Sequence, residues 1–388
     1  MREGWKEVKF ETLLEIPLRN GINRPSRVRG KGFKMVNMGE LFANDRLQNI
    51  EMELVQLNAS EQENFQIKNF DLLFARQSIV AEGAGKCSIV LEIDNINCFE
   101  SHLIRARIND KNSALFYYYL FQSAYGKGLL STIRQQGVQA GIRGSDLQKL
   151  KIICPPLETQ RKIASILSGY DDLIENNLKR IKILEEMAQQ TYEEWFVRMR
   201  FPGYETAVMN EETGLPEGWE KVKLGEIYDL KYGKNLAQTD ILKEGTFSVY
   251  GASGKMGYFT KSNISSKKVL VTSRGNGSGV VHRTFEDESF VTNNSFVVNT
   301  ELGLGYTFYN LKKFDLSRFN SGSAQPQLTN SALLNVEIIR PNSQLINDFN
   351  LIVNNQIQFI DNLLNQNQRL REARDLLLPR LMMGIVEV

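Results

Sequence analysis

Residues 158–200 read ETQRKIASILSGYDDLIENNLKRIKILEEMAQQTYEEWFVRMR, with no proline and one glycine. Along this stretch Tyr170, Ile174, Asn177, Ile181, Leu184, Ala188, Thr191 and Trp195 follow one another at alternating spacings of four and three. A repeat of about 3.5 residues keeps one stripe of a helix facing a partner helix, so the stretch predicts a long helix with a coiled-coil seam. A degenerate second copy, from Ser343 to Leu378, supplies the partner. Laying Ile174 on Ile360 gives an offset of 186, at which Pro155 meets Pro341 and Leu184 meets Leu370. Without a gap the same offset brings Gln139 to Gln325, Ser145 to Ser331, Leu147 to Leu333 and Ile152 to Ile338. This is an internal repeat.

An antiparallel register of the two copies places Ile174 opposite Leu370, Ile181 opposite Leu363, Leu184 opposite Ile360, Leu167 opposite Leu377, and Asn177 opposite Asn367. A polar seam layer costs stability unless its amides are paired, and it is a known way to fix register. The seam residues are therefore Ile174, Asn177, Ile181 and Leu184 on the first helix, with Ile360, Leu363, Asn367 and Leu370 on the second.

The amino end repeats as well. GWKEVKF at 4–10 returns as GWEKVKL at 218–224, at an offset of 214, so the second globular half is 28 residues shorter than the first. Trp, Val and Phe or Leu alternate there, which reads as a short strand. With 388 residues the chain exceeds what one core serves. The expected organisation is a first globular domain at 1–155, a long helix at 156–200 and a turn-rich linker at 201–216. A second domain at 217–341 follows, then the second helix with a terminal strand at 342–388. The fold class is α+β: two α/β domains separated by two long antiparallel helices, with a pseudo-twofold internal repeat.

Net charge is only +2, but its distribution is uneven. Arg19, Arg24, Arg27, Arg29, Lys31 and Lys34 fall between Pro17 and Gly39 with no acid among them. Lys255, Lys261, Lys267, Lys268, Arg274 and Arg283 do the same between Lys255 and Arg283. Each half thus carries its own basic face, as a nucleic-acid binder requires. No window is apolar enough to span a membrane and the amino end has no signal-peptide core, so the chain reads as cytoplasmic. The three cysteines have neither metal spacing nor a disulfide framework. The two histidines, His102 and His282, lie in different halves. No P-loop is present, and Cys154-Pro155-Pro156-Leu157 lacks both ends of an amino-methyltransferase motif. The sequence offers no catalytic and no metal-binding residues.

Several stretches together resemble the specificity subunit of type I restriction-modification systems. They are GWKEVKF and GWEKVKL opening the halves, ICPPLETQRKIASIL, WFVRMRFPG, SGSAQPQLT before NVEIIRP, and LLPRLMMG near the carboxyl end. The resemblance covers essentially the whole chain. It implies two target recognition domains, each reading half of an asymmetric bipartite sequence in double-stranded DNA. It implies helices that set the unspecified spacer, and a chain that holds two modification methyltransferase subunits and, through them, restriction and translocase subunits. S-adenosylmethionine and ATP with Mg would then belong to those partners, and this chain would need no cofactor. A helix of this length spans roughly 64 Å at about 1.5 Å per residue, of the order needed for half-sites about 34–36 Å apart per DNA turn. Two alternatives stand beside it: a structural adaptor built on the helical hairpin, and a DNA-modifying enzyme in its own right.

Base contacts need forked or amide side chains, and phosphate contacts need cations or backbone donors. On that chemistry the DNA-binding residues of the first half are Arg24, Arg27, Arg29, Lys31, Arg76, Gln77, Ser78, Gln135 and Gln139. Those of the second are Lys234, Tyr250, Ser253, Lys255, Ser273, Arg274, Asn276, Arg283, Asn294 and Gln325. The methyltransferase subunits are expected on the charged outer face of the first helix, at Lys179, Arg180, Lys182, Glu185 and Glu186.

Overall fold

A computed structural model describes residues 4–48, 50–92, 97–135, 139–252, 254–275, 277–322 and 326–388. The chain forms two compact units, Met1–Glu175 with Asn367–Val388, and Asn176–Gln366. Two long helices, Leu157–Tyr192 and Ser343–Met382, dominate the element order. Each helix gives its amino-terminal part to one unit and its carboxyl-terminal part to the other.

The repeat is visible rung by rung. Strand Lys6–Lys9 pairs antiparallel with Lys151–Cys154, Lys6 opposite Cys154, and strand Glu220–Lys223 pairs with Glu337–Arg340, Glu220 opposite Arg340. One partner follows the 214 offset and the other the 186 offset, so the 28-residue difference is absorbed inside each domain, between equivalent strand pairs.

In the first unit a five-stranded sheet runs in the order Arg19–Asn20, Leu103–Ala106, Leu72–Ala75, Cys87–Val90, Arg46–Leu47. Its apolar face packs on helix Ala114–Gln122, whose aromatic side chains are core, as Phe116, Tyr117 and Phe121 are each nearly fully buried. A three-stranded sheet, Glu53–Val55, Arg29–Val36 and Asn97–Phe99, completes the domain. In the second unit the matching sheet has four strands, Asp229–Tyr232, Ser295–Asn299, Val269–Thr272 and Val281–Arg283. A second four-stranded sheet holds Gly254–Phe259, Phe247–Gly251, Glu288–Val291 and Ile264–Ser265.

Within each unit the two helix segments run antiparallel. In the first, Arg374 Nη1 lies 2.5 Å from Asp171 Oδ1, and Asn367 Nδ2 donates to the Ile174 carbonyl at 3.3 Å. In the second, Asn177 Nδ2 donates to Gln366 Oε1 at 3.0 Å while Ile181 packs with Ile360, Leu363 and Leu184. Ile174, Asn177, Ile181, Ile360, Leu363 and Asn367 are buried, whereas Leu184 and Leu370 are half-buried. Asn177 belongs to the second unit and Asn367 to the first.

The carboxyl end departs from expectation. Pro379 lies inside the second helix, which continues to Met382 and ends just before Gly384. A helical proline costs a hydrogen bond and a steric clash, which burial of Leu381 and Met382 in the first unit's core offsets. The expected terminal strand at 385–388 is absent. Met383–Gly384 form a turn, and Val386 and Val388 pack on the core without joining a sheet.

Candidate nucleic-acid interface

Some of the reading candidates meet on one small ribbon in each unit. In the first, strand Leu72–Ala75 leads into Arg76, whose carbonyl accepts from Ile142 N at 2.9 Å. Gln77–Ser78 then pairs with Ala140–Gly141, and Gly141 exchanges both backbone hydrogen bonds with Gln135, at 2.8 and 3.1 Å. The ribbon is therefore Gln77, Gly141, Gln135 in rung order, with Gln139 exposed beside it.

The second unit repeats the frame. Strand Val269–Thr272 leads into Ser273, whose carbonyl accepts from Leu328 N at 2.8 Å. Arg274 then bridges Gln327, and Gln327 pairs with Ser321. The 186 offset carries Gly141 to Gln327 and Gln135 to Ser321, so the rungs are equivalent and the side chains on them are not. Gln77, Gly141 and Gln135 become Arg274, Gln327 and Ser321. Lys234 and Asn294 join at the same sheet end: Asn293 N donates to the Lys234 carbonyl at 3.0 Å, and Ser273 N to that of Asn294 at 2.8 Å.

Other expected residues are placed elsewhere. Tyr250 is core, 1% exposed, its hydroxyl donating to Glu286 at 2.6 Å and accepting from Phe285 N at 3.1 Å. Burial and the Glu286 bond raise its pKa. Ser273 is fully buried, because it occupies the Arg76 position one residue before the ribbon. Arg283 is 8% exposed and bonds Asp361 at 2.6 Å. Arg24 pairs with Glu61, and Arg29 with Glu53 at 2.6 Å, so both are committed within the three-stranded region. Arg27 and Lys31 of the first basic run are exposed. Lys255 pairs with Glu286 at 3.2 Å and lies 4.5 Å from the Tyr258 ring centroid. Ser253, Asn276 and Gln325 lie outside the described residues.

Reading by residue type missed Gln327 and Ser321, which the 186 offset from Gly141 and Gln135 could have found. It also missed Ile79 and Val80, 86% and 63% exposed at the tip that follows Gln77–Ser78. Apolar side chains placed beside amides suit contact with a thymine methyl. Among the described residues no cluster of His, Cys, Asp and Glu could hold a metal, and no helix is long and apolar enough to cross a membrane. His282 is half-buried, and loss of solvation there pulls its pKa below the ordinary histidine value.

A family model, the type I restriction modification DNA specificity domain, matches the chain over residues 2–186 and again over 216–368. The chain belongs to this family. Each of the two matches contains one ribbon, so the type I specificity domain occurs here twice. The MjaIX type I restriction enzyme specificity subunit of Methanocaldococcus jannaschii is 28% identical over 298 residues, covering 70% of this chain and 69% of the relative. The EcoKI specificity subunit of Escherichia coli is 26% identical over 191 residues, 47% of this chain and 41% of that one. The crystal structure of the type I restriction-modification S subunit from M. genitalium shares the fold at a TM-score of 0.67 and 19% identity, covering 97% of this chain and 96% of that one.

The two classes of contact are separable by experiment. Arg274→Ala is expected to weaken binding to cognate duplex by about 1–3 kcal/mol, the worth of a bidentate base contact. Lys255→Ala is expected to leave the salt slope almost unchanged, because an amine already neutralised by Glu286 releases few counterions. Fluorescence anisotropy across a salt series, on cognate and scrambled duplex, checks both; equal losses on the two duplexes would move Arg274 to the phosphates.

Proposed function

We propose that each unit reads one half of an asymmetric bipartite DNA site through its ribbon, and that the two long helices set the unspecified spacer between the halves. The observation that carries this reading is one backbone frame bearing two unlike sets of side chains. Equivalent rungs hold Gln77, Gly141 and Gln135 in one unit and Arg274, Gln327 and Ser321 in the other. An equivalent frame delivers a similar approach to the duplex, and different amide and guanidinium groups select different bases.

The chain itself performs no chemistry in this reading. It positions two methyltransferase subunits, which bring S-adenosylmethionine, and through them the ATP-dependent restriction subunits, in the cytoplasm. The docking surface is better placed on apolar helix positions than on the charged face at Lys179–Glu186. Ile166 and Ile352, 38% and 43% exposed, are related by the 186 offset, as are Leu173 and Phe359, 53% and 48% exposed. Repeat-related apolar patches of this kind suit two copies of one partner. Duplex binding by the chain with and without its methyltransferase partner tests the proposal. Sequence-selective binding that needs both half-sites supports it, and methyl transfer or cleavage by the purified chain alone would replace it with the enzyme reading.

A further inference from the structure

The 186 offset joins Glu175 to Asp361, one acid at the same place on each long helix. Both are gripped by an arginine of the domain in their own unit. In the second unit Arg283 Nη2 lies 2.6 Å from Asp361 Oδ1 and Lys267 Nζ lies 2.9 Å from Asp361 Oδ2, with the Asp361 side chain 4% exposed. In the first unit Arg46 Nε lies 3.3 Å from Glu175 and its Nη2 2.6 Å from Asp172, while Gln48 also bonds Glu175.

The arginines are not equivalent to each other. Arg283 ends the strand Val281–Arg283, which occupies the place of Cys87–Val90 in the sheet order. Arg46 comes from the short outer strand Arg46–Leu47, which pairs parallel with Cys87–Val90 and has no counterpart in the four-stranded sheet. Two different domains thus reach one helix position from different strands, so duplication of the helix does not by itself account for the contact.

Where the grip falls matters. Arg283 stands opposite Val269 at the start of Val269–Thr272, and the ribbon begins just beyond the other end of that strand. Arg46 stands opposite Ile89, and Ile89 opposite Leu72, at the start of Leu72–Ala75, whose other end leads to Gln77. Clamp and ribbon therefore lie beyond opposite ends of one four-residue strand, Val269 to Arg274 and Leu72 to Gln77 each spanning roughly 17 Å at about 3.3 Å per residue. A rotation at the clamp is carried to the reading edge by the stiffness of the sheet.

We propose that Glu175 and Asp361 are positioning residues that fix how each recognition domain is turned on its helix, and so make the protein strict about half-site spacing. This rests on the half-site reading above. One added base pair shifts a half-site by about 3.4 Å, which a firmly held edge rejects and a loosely held one follows. The test uses the full chain assembled with its methyltransferase partner, and duplexes carrying both half-sites at the native spacing or one base pair longer or shorter.

Asp361→Asn is expected to reduce the affinity preference for native spacing by about tenfold, with Asp361→Glu restoring most of it and circular dichroism unchanged. A merely structural role would lower affinity for every duplex in proportion and leave the preference intact; that result overturns the inference. Where Asp361→Asn folds too poorly to assay, Lys267→Gln keeps the Arg283 pair and is expected to lower the preference about threefold; an unchanged preference overturns the inference equally. A wild-type complex indifferent to spacing overturns the half-site reading itself, whereas a wild-type preference that survives in the variant overturns this inference alone.

Discussion

Phe349→Ala is expected to destabilise the second unit by about 3–5 kcal/mol, the usual cost of emptying a large buried aromatic site. Phe349 is fully buried on the second long helix, and its ring lies 5.1 Å from Phe196, 5.9 Å from both Tyr192 and Trp195, and 6.4 Å from Tyr306. Those partners come from the end of the first helix and from helix Leu304–Lys312, so one ring joins three elements of the unit. The site cannot collapse easily, because Asn310 fixes its neighbours: its Nδ2 donates to Tyr192 at 2.9 Å and its Oδ1 accepts from Tyr228 at 2.9 Å. Urea unfolding followed by the fluorescence of Trp195 and Trp219 measures the loss; a change under about 1 kcal/mol would mean that the cluster repacks.

Asp71→Asn is expected to cost the first unit a similar amount, about 3–5 kcal/mol, because it breaks a buried ion pair from one side. The Asp71 side chain is 0% exposed, and Arg107 holds both its oxygens at 2.7 Å. Beside it Arg105 is also buried, donating to the Gln66 carbonyl at 2.8 Å, and burial pulls its pKa down to about 10. With the carboxylate neutralised, two guanidinium groups would share a poorly solvated site with no anion to balance them. Calorimetry is expected to show the first unit melting ahead of the second. A single unshifted transition would show that water reaches the pair.

The sequence made the rods and the duplication legible because both signals are local: a 3.5-residue period and a constant offset survive any divergence of the loops. The same offset already held half of the ribbon, since Gln135 and Gly141 point to Ser321 and Gln327. Burial of some candidates has one cause. Tyr250, Ser273 and Arg283 sit in strand-like runs broken by glycines and small polar residues, and hydrogen bonding draws each into a sheet or a clamp. Likewise Arg24 and Arg29 looked like part of an acid-free basic face, while their acids, Glu61 and Glu53, approach from later in the chain. Pairing across such separations leaves no local trace, and for that reason the Glu175 and Asp361 grips were invisible as well.

Mapping methylated adenines in DNA from cells that carry the complete system, with the chain as wild type, Gln77→Ala or Arg274→Ala, tests the account most directly. Two unlike readers on one frame predict that Gln77→Ala relaxes the bases of one half-site, that Arg274→Ala relaxes those of the other, and that the spacer length stays the same. Both variants relaxing the same half-site, or neither changing the methylated sequence, would contradict it.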